Sequence, residues 1–203
     1  MNIIKRELKA NAKSLIIWSL ITSAILFMWY AEFAAYYNNP EMAAILEAMP
    51  QALLDAFSMN AANITTLNGY FSTLLSFLYL ILGIHAVTLG SSIIAKEQRD
   101  KTSEFLFSMP ITRHKVITCK IIAATINCII ILLVSYITSI VLALRYNPDK
   151  EFFSFISLSL LATFLIQILF LSVGMFLASI IKKDKRASTI AATILFVTFI
   201  FSL

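Results

Sequence analysis

Long apolar runs without a single charge constrain this chain more than any other feature. Residues 70–95 and 121–144 are two such runs, and each exceeds the ~20 residues that an α-helix needs to cross the hydrocarbon core of a bilayer. The chain is 60% apolar and 13% charged, whereas soluble domains are roughly 45–50% apolar and about 25% charged. The pattern predicts an all-α, polytopic integral membrane helical bundle.

Five apolar segments fill most of the 203 residues, so we predict a single transmembrane domain over residues 1–203. The first segment follows basic residues, as a signal peptide would. It is longer than the ~7–15 residues of a signal core, and aromatic residues stand where a cleavage site should be, so we expect it to be retained. The last segment is at the lower length limit for a span. The predicted spans are residues 15–33, 70–95, 121–144, 152–181 and 187–203.

The positions of the basic residues predict how the spans are oriented. Of 16 Lys and Arg, 14 lie in residues 1–14, 96–120 and 182–186, and the two others are Arg145 and Lys150. Short segments rich in Lys and Arg stay on the cytoplasmic side of a membrane. We therefore expect a cytoplasmic N-terminus, and the net charge of +5 follows membrane topology rather than a nucleic-acid surface.

The segment 40–58, between the first two spans, is amphipathic. Its apolar residues recur at helical spacing, which predicts one or two short outer helices on the membrane surface, broken near Pro50. This segment is either a connector whose apolar side covers the bundle or a gate that handles substrate. Those apolar residues are Met42, Ile45, Leu46, Met49, Leu53, Leu54 and Phe57.

The loop 96–120 carries the most specific signal. Phe105–Phe107 stand between charged residues, which a solvated connector would not need. They predict a short helix that starts near Thr102 and is ended by Pro110, because proline disfavours helix in the residue before it. Thr112 is a candidate N-cap for the next helix. A short helix with one apolar side is typical of an element that docks into a groove on a partner.

This loop resembles the inner loop after the second span in permease subunits of exporter-type ATP-binding-cassette (ABC) transporters, the ABC type-two permease family. The shared order is an acid, Lys-Thr-x-Glu, an apolar triplet, Ser-x-Pro, Thr-Arg and a Lys. Many relatives have Gly where Lys101 stands, and the family usually has six spans, so we expect a sixth helix after Leu203. The matching residues are Glu97, Lys101, Thr102, Glu104, Phe105, Leu106, Phe107, Ser108, Pro110, Thr112, Arg113 and Lys120.

The resemblance implies a non-catalytic permease whose loop 96–120 is a coupling helix. We expect it in a cell membrane, specifically a prokaryotic plasma membrane. A separate ABC ATPase subunit would bind ATP and magnesium, and a second permease subunit would complete a homodimer or heterodimer surrounded by membrane lipid. In this chain itself we expect no cofactor, catalytic or metal site. The residues implied to dock the ATPase are Glu97, Thr102, Glu104, Phe105, Leu106, Phe107, Pro110 and Arg113.

Three polar residues inside the spans have two interpretations. His85, Asn127 and Gln167 either form interhelical hydrogen bonds that pack the bundle or line a substrate path or proton relay. The main alternative function is a self-contained secondary transporter or channel, which would need ionisable groups within its spans, and only His85 qualifies. An intramembrane enzyme would need clustered carboxylates, paired His or a nucleophile beside a base, which the spans lack.

Overall fold

The computed structural model describes residues 3–56, 64–99, 112–181 and 184–202. These residues form seven α-helices and contain no β-strand, so the all-α prediction is confirmed. A short 3-10 turn, Leu144–Tyr146, continues α5. The helices are α1 Ile3–Tyr36, α2 Pro40–Glu47, α3 Gln51–Ala56, α4 Leu67–Arg99, α5 Arg113–Ala143, α6 Lys150–Ile180 and α7 Asp184–Ser202.

Four of these helices, α1, α4, α5 and α6, are long and apolar enough to cross a membrane. The fifth predicted span is also helical, but its apolar part, Arg186–Phe201, is shorter than the other four. Large apolar side chains cover the outside of the long helices; Leu20 on α1 and Leu158 on α6 are 65% and 68% exposed. Such faces require a lipid environment, and the prediction of a polytopic membrane bundle is confirmed.

Two helices begin earlier than the apolar runs alone predict. α1 starts at Ile3, so the basic residues expected to precede the first span belong to the same helix. Neither Gly nor Pro occurs before Ser14, and Lys, Arg, Glu and Ala are good helix formers. α5 starts at Arg113, and the Thr112 side chain accepts a hydrogen bond from the Lys115 backbone N–H at 3.4 Å. The predicted N-cap at Thr112 is thereby confirmed.

The long helices share two common ends. Tyr70 on α4 donates its hydroxyl to the Trp29 carbonyl oxygen at 3.0 Å, while Leu8 packs near Ile93, so α1 and α4 are antiparallel. Tyr146 donates to the Tyr30 carbonyl oxygen at 2.9 Å, so α5 runs parallel to α1. We call the end that holds Tyr36, Leu67 and residues 144–149 the hairpin end. The opposite end, which holds Ile3, Arg99, Arg113 and Ile180, is the N-terminal end.

Stacked aromatic rings close the hairpin end. The Phe33 ring centroid lies 4.6 Å from that of Tyr70 and 4.8 Å from that of Tyr146, and Phe33 is fully buried. The chain turns beside this cluster at Asn38 and Asn147, whose φ angles are 52° and 50°. Asparagine tolerates this left-handed conformation because its short polar side chain bonds locally. The cluster joins α1, α4 and the end of α5.

The backbones of α4 and α6, which run parallel, approach each other closely at two glycines. A Cβ on Gly90 would lie within 3.0 Å of the Leu171 carbonyl oxygen, and one on Gly174 would lie as close to the Val87 carbonyl oxygen. The Ser91 hydroxyl donates to its own helix at Val87 and lies 3.3 Å from the Gly174 carbonyl oxygen. Small residues permit such contacts between membrane helices.

Replacing either glycine with alanine should therefore separate α4 from α6. We expect Gly90→Ala and Gly174→Ala each to lower the free energy of unfolding by about 1–3 kcal/mol, the usual cost of overpacking. Gly83→Ala is the matched control, because the atom that a Cβ there meets most closely is the flexible end of the Leu195 side chain, and Phe170 lies at ordinary contact distance. Thermal unfolding in detergent measures the effect. Equal melting temperatures for all three variants would contradict the backbone contact.

Candidate functional site

The central part of the predicted docking loop lies outside the described residues. The two helices that support the loop, one on each side, are described. α4 ends at Arg99 and α5 begins at Arg113, both at the N-terminal end of the bundle. Two of the implied docking residues therefore lie in long helices. Glu97 lies near the end of α4, and Arg113 is the first residue of α5. The implied docking residues outside the described ranges are Thr102, Glu104, Phe105, Leu106, Phe107 and Pro110.

A buried lysine connects the two helices that support the loop. Lys120 on α5 is only 3% exposed, and its Nζ donates a hydrogen bond to the Ile93 carbonyl oxygen on α4. Beside this bond, Ala123 and Ala124 of α5 pack with Leu89 and Ile93 of α4. The two supports are therefore held to each other about two turns into each helix.

The start of α1 packs beside the Lys120 to Ile93 bond. We call this region of α1, α4 and α5 the frame around Lys120. Ile4 and Leu8 pack on the cluster that contains Ile93, and Glu7 between them is fully buried. Arg6 Nη2 donates to Glu7 Oε1 at 3.0 Å. Sequence reasoning missed Glu7. The available signal was that Glu7 is the only acid among the basic residues of this segment and shares a helical face with Ile3 and Ile4.

The three polar residues predicted within the spans are all buried at one level of the bundle. His85, Asn127 and Gln167 are 2%, 1% and 0% exposed. Because Ser91 meets Gly174 across parallel helices, Gln167 lies two turns before that contact, level with His85. Ala86 packs with Ala123, Ala124 and Cys128, which brings Asn127 to the same level from α5.

Within the described part of the chain, these residues do not form the expected interhelical hydrogen bonds. Asn127 Nδ2 donates within its own helix, to the Ala123 carbonyl oxygen at 2.8 Å. Gln167 Nε2, Gln167 Oε1 and His85 Nδ1 have no hydrogen-bond partner among the described residues. The His85 ring packs edge-on against Trp18 of α1, with ring centroids 5.5 Å apart. Burial of unpaired amide atoms is costly, so Gln167 destabilises this level of the core.

A cavity of about 720 Å³ opens at the hairpin end. Sequence reasoning missed it, since its walls come from three separate turns. Asp149 caps α6 there by accepting the Phe152 N–H at 2.7 Å. Amide, hydroxyl and carboxylate groups beside aromatic rings suit a polar ligand better than a hydrocarbon. The lining includes Tyr37, Asn38, Thr66, Asn68, Ser72, Tyr146, Asn147, Asp149, Glu151 and Phe155.

The predicted outer amphipathic segment forms two short helices, α2 and α3, with an interruption at residues 48–50. Ile45 and Leu53 are 52% and 51% exposed. The expectation that the apolar side of this segment covers the bundle therefore does not hold at these two positions. Their exposure leaves an apolar surface beside the hairpin end.

Comparison with protein families gives a match that covers the region just described. A model of the ABC-2 family transporter proteins matches residues 1–202. Comparisons with curated proteins and with solved structures find no significant match. The matched range contains the long helices, the frame around Lys120 and the loop between α4 and α5.

The unpaired state of Gln167 can be tested by an apolar replacement of similar size. We expect Gln167→Leu to leave the melting temperature unchanged or to raise it, because it removes two buried polar atoms without bonds. Gln167→Ala is the control and should cost about 2 kcal/mol or more, because it leaves a cavity. Thermal unfolding of the purified protein measures both. A loss for Gln167→Leu as large as for Gln167→Ala would show that the amide has a partner.

Proposed function

Because the chain belongs to the ABC-2 family of transporter proteins and is a membrane permease component, we propose that it couples ATP hydrolysis in a separate subunit to export of a substrate. In this proposal an ABC ATPase binds ATP and magnesium, and a second permease subunit completes the complex in the cell membrane. One observation carries the proposal: the loop with the family's docking pattern is held between α4 and α5, which the Lys120 to Ile93 bond joins.

The proposed coupling is mechanical. Phe105, Leu106 and Phe107 enter a cleft on the ATPase, and Pro110 fixes where the chain leaves it. The contact energy must differ between the open and closed ATPase, because a partner shifts an equilibrium only by its differential affinity for the two states.

The charges around the apolar triplet set the specificity of this contact. Thr102 begins the docking helix, while Glu97, Glu104 and Arg113 form a charged rim around it. Rim charges mainly affect the rate and specificity of association. The apolar residues therefore supply most of the proposed affinity.

The distribution of charge supports a cytoplasmic position for the N-terminal end. Lys9, Lys13, Lys115 and Arg186 are exposed there. At the hairpin end, Arg145 and Lys150 stand beside the exposed acids Asp149 and Glu151. An excess of basic residues marks the cytoplasmic side, which is also where an ATPase would meet the loop.

Charged replacements in the loop test the docking role. We expect Phe105→Asp combined with Leu106→Asp to abolish co-purification of the ATPase subunit and to remove permease-stimulated ATP hydrolysis, since carboxylates cannot enter an apolar cleft without loss of solvation. The matched control is Ile45→Asp with Leu53→Asp at the hairpin end. Co-purification at the wild-type level in the loop variant would refute the docking assignment, provided that both variants insert into membranes.

Cysteine labelling tests the orientation. In a chain whose Cys119 and Cys128 are replaced by Ser, Lys150→Cys should react with a membrane-impermeant maleimide in intact cells. Lys9→Cys should react only after the membrane is made permeable, because the basic end faces the cytoplasm. The opposite pattern would invert the topology and place the loop on the side without ATP.

A further inference from the structure

Exposed basic residues surround the N-terminal end of the bundle, and none of them is among the residues proposed to dock the ATPase. Lys9 and Lys13 lie on α1, Lys115 lies on α5 and Arg186 lies on α7. All four side chains are exposed. We call these four residues the basic band.

On α1 and α7, Lys13 and Arg186 are each followed by exposed apolar residues on the same helical face. Ile16 and Ile17, three and four residues after Lys13, are 59% and 56% exposed. Arg186 is followed at helical spacing by Ile190 and Ile194, which are 44% and 40% exposed. Residues at these spacings are neighbours on a helix surface. The basic side chain therefore lies directly beside the lipid-facing apolar surface.

The same order occurs on α5. Ile122, two turns after Lys115, is 41% exposed, and residues seven apart return to one face of a helix. Basic and apolar groups thus follow each other on three helices. Lysine and arginine side chains at such positions lie along the apolar surface and extend their charged groups to the membrane interface.

Contacts inside the bundle place the band within about three helical turns at the N-terminal end. Leu8, next to Lys9, packs in the cluster that contains Ile93. On α7, Ala191 packs with Val87, so Arg186, five residues earlier, lies close to the level of Ile93. Lys115 lies little more than one turn beyond Lys120, whose Nζ bonds the Ile93 carbonyl oxygen.

Among the acidic side chains that the structure describes, none pairs with a residue of the basic band. At this end, the carboxylate whose side chain is described is that of Glu7, which is buried and bonded to Arg6. The side chains of Glu97 and Asp184 lie outside the described part. The hairpin end differs, because Asp149 and Glu151 are exposed beside Lys150. Among the described side chains, exposed basic groups without an exposed acid beside them therefore occur at the N-terminal end.

We propose that the basic band binds the headgroups of anionic phospholipids, while the adjacent isoleucines contact their acyl chains. Basic residues beside a membrane helix attract anionic lipid surfaces, and the band presents its charges where headgroups would lie. Neutral lipids satisfy the apolar surface equally well but leave the charges uncompensated. The proposal is independent of ATPase docking, since none of the residues proposed to dock the ATPase belongs to the band.

Lipid titration followed by native mass spectrometry tests this binding. The detergent-solubilised protein is titrated with phosphatidylglycerol and, separately, with phosphatidylcholine of the same acyl chains. We expect a preference for phosphatidylglycerol that weakens as salt is added, because exposed charges are screened. Each basic residue removed should lower the affinity for phosphatidylglycerol about fivefold, so Lys9→Gln with Lys13→Gln should lower it about 25-fold.

The control variant, Arg145→Gln with Lys150→Gln, removes two charges from the hairpin end and should keep the preference. Affinity for phosphatidylcholine should be unchanged in both variants, which shows that they are folded. Equal affinity of the wild-type protein for both lipids would overturn the proposal. So would a preference that survives Lys9→Gln with Lys13→Gln, or one lost equally in the control.

Discussion

The backbone contact between α4 and α6 is the constraint on which the rest of the bundle depends. Lipid tails are as apolar as leucine, so burial of apolar surface does not by itself drive membrane helices together, and close packing must do so. Gly90 and Gly174 allow each helix to approach a carbonyl oxygen of the other. This contact fixes the relative height of the two helices. It thereby sets which residues of α4 remain available to α1, α5 and α7.

α4 uses these remaining residues to hold every other long helix. Trp18 of α1 packs on His85, Leu195 of α7 lies against Gly83, and Lys120 of α5 bonds Ile93. The helix that leads into the docking loop is therefore the one with partners on all sides. A force applied to its end would reach the whole bundle, which suits the proposed coupling better than a loop between peripheral helices would.

Sequence reasoning succeeded where a local rule decides the outcome and failed where distant contacts do. Thr112 caps α5 as predicted, because its hydroxyl needs only a backbone N–H three residues away. The expected interhelical bond of Asn127 was replaced by one to its own helix, since a carbonyl four residues earlier is always within reach. The hairpin-end cavity could not be predicted, because residues such as Asn38, Thr66 and Asn147 meet only after folding.

The two ends of the bundle differ in a way that bears on the proposed mechanism. α4 has 33 residues, so at about 1.5 Å per residue it extends about 50 Å from the loop to the hairpin end. There Tyr70 of α4 stacks on Phe33, and Ser72 lines the polar cavity. If headgroups hold the basic band at the interface, the peripheral helices resist displacement while the loop is pushed. Movement of α4 relative to α1 and α7 would then change the cavity walls, so that ATPase docking would move α4 while lipid anchoring holds its neighbours.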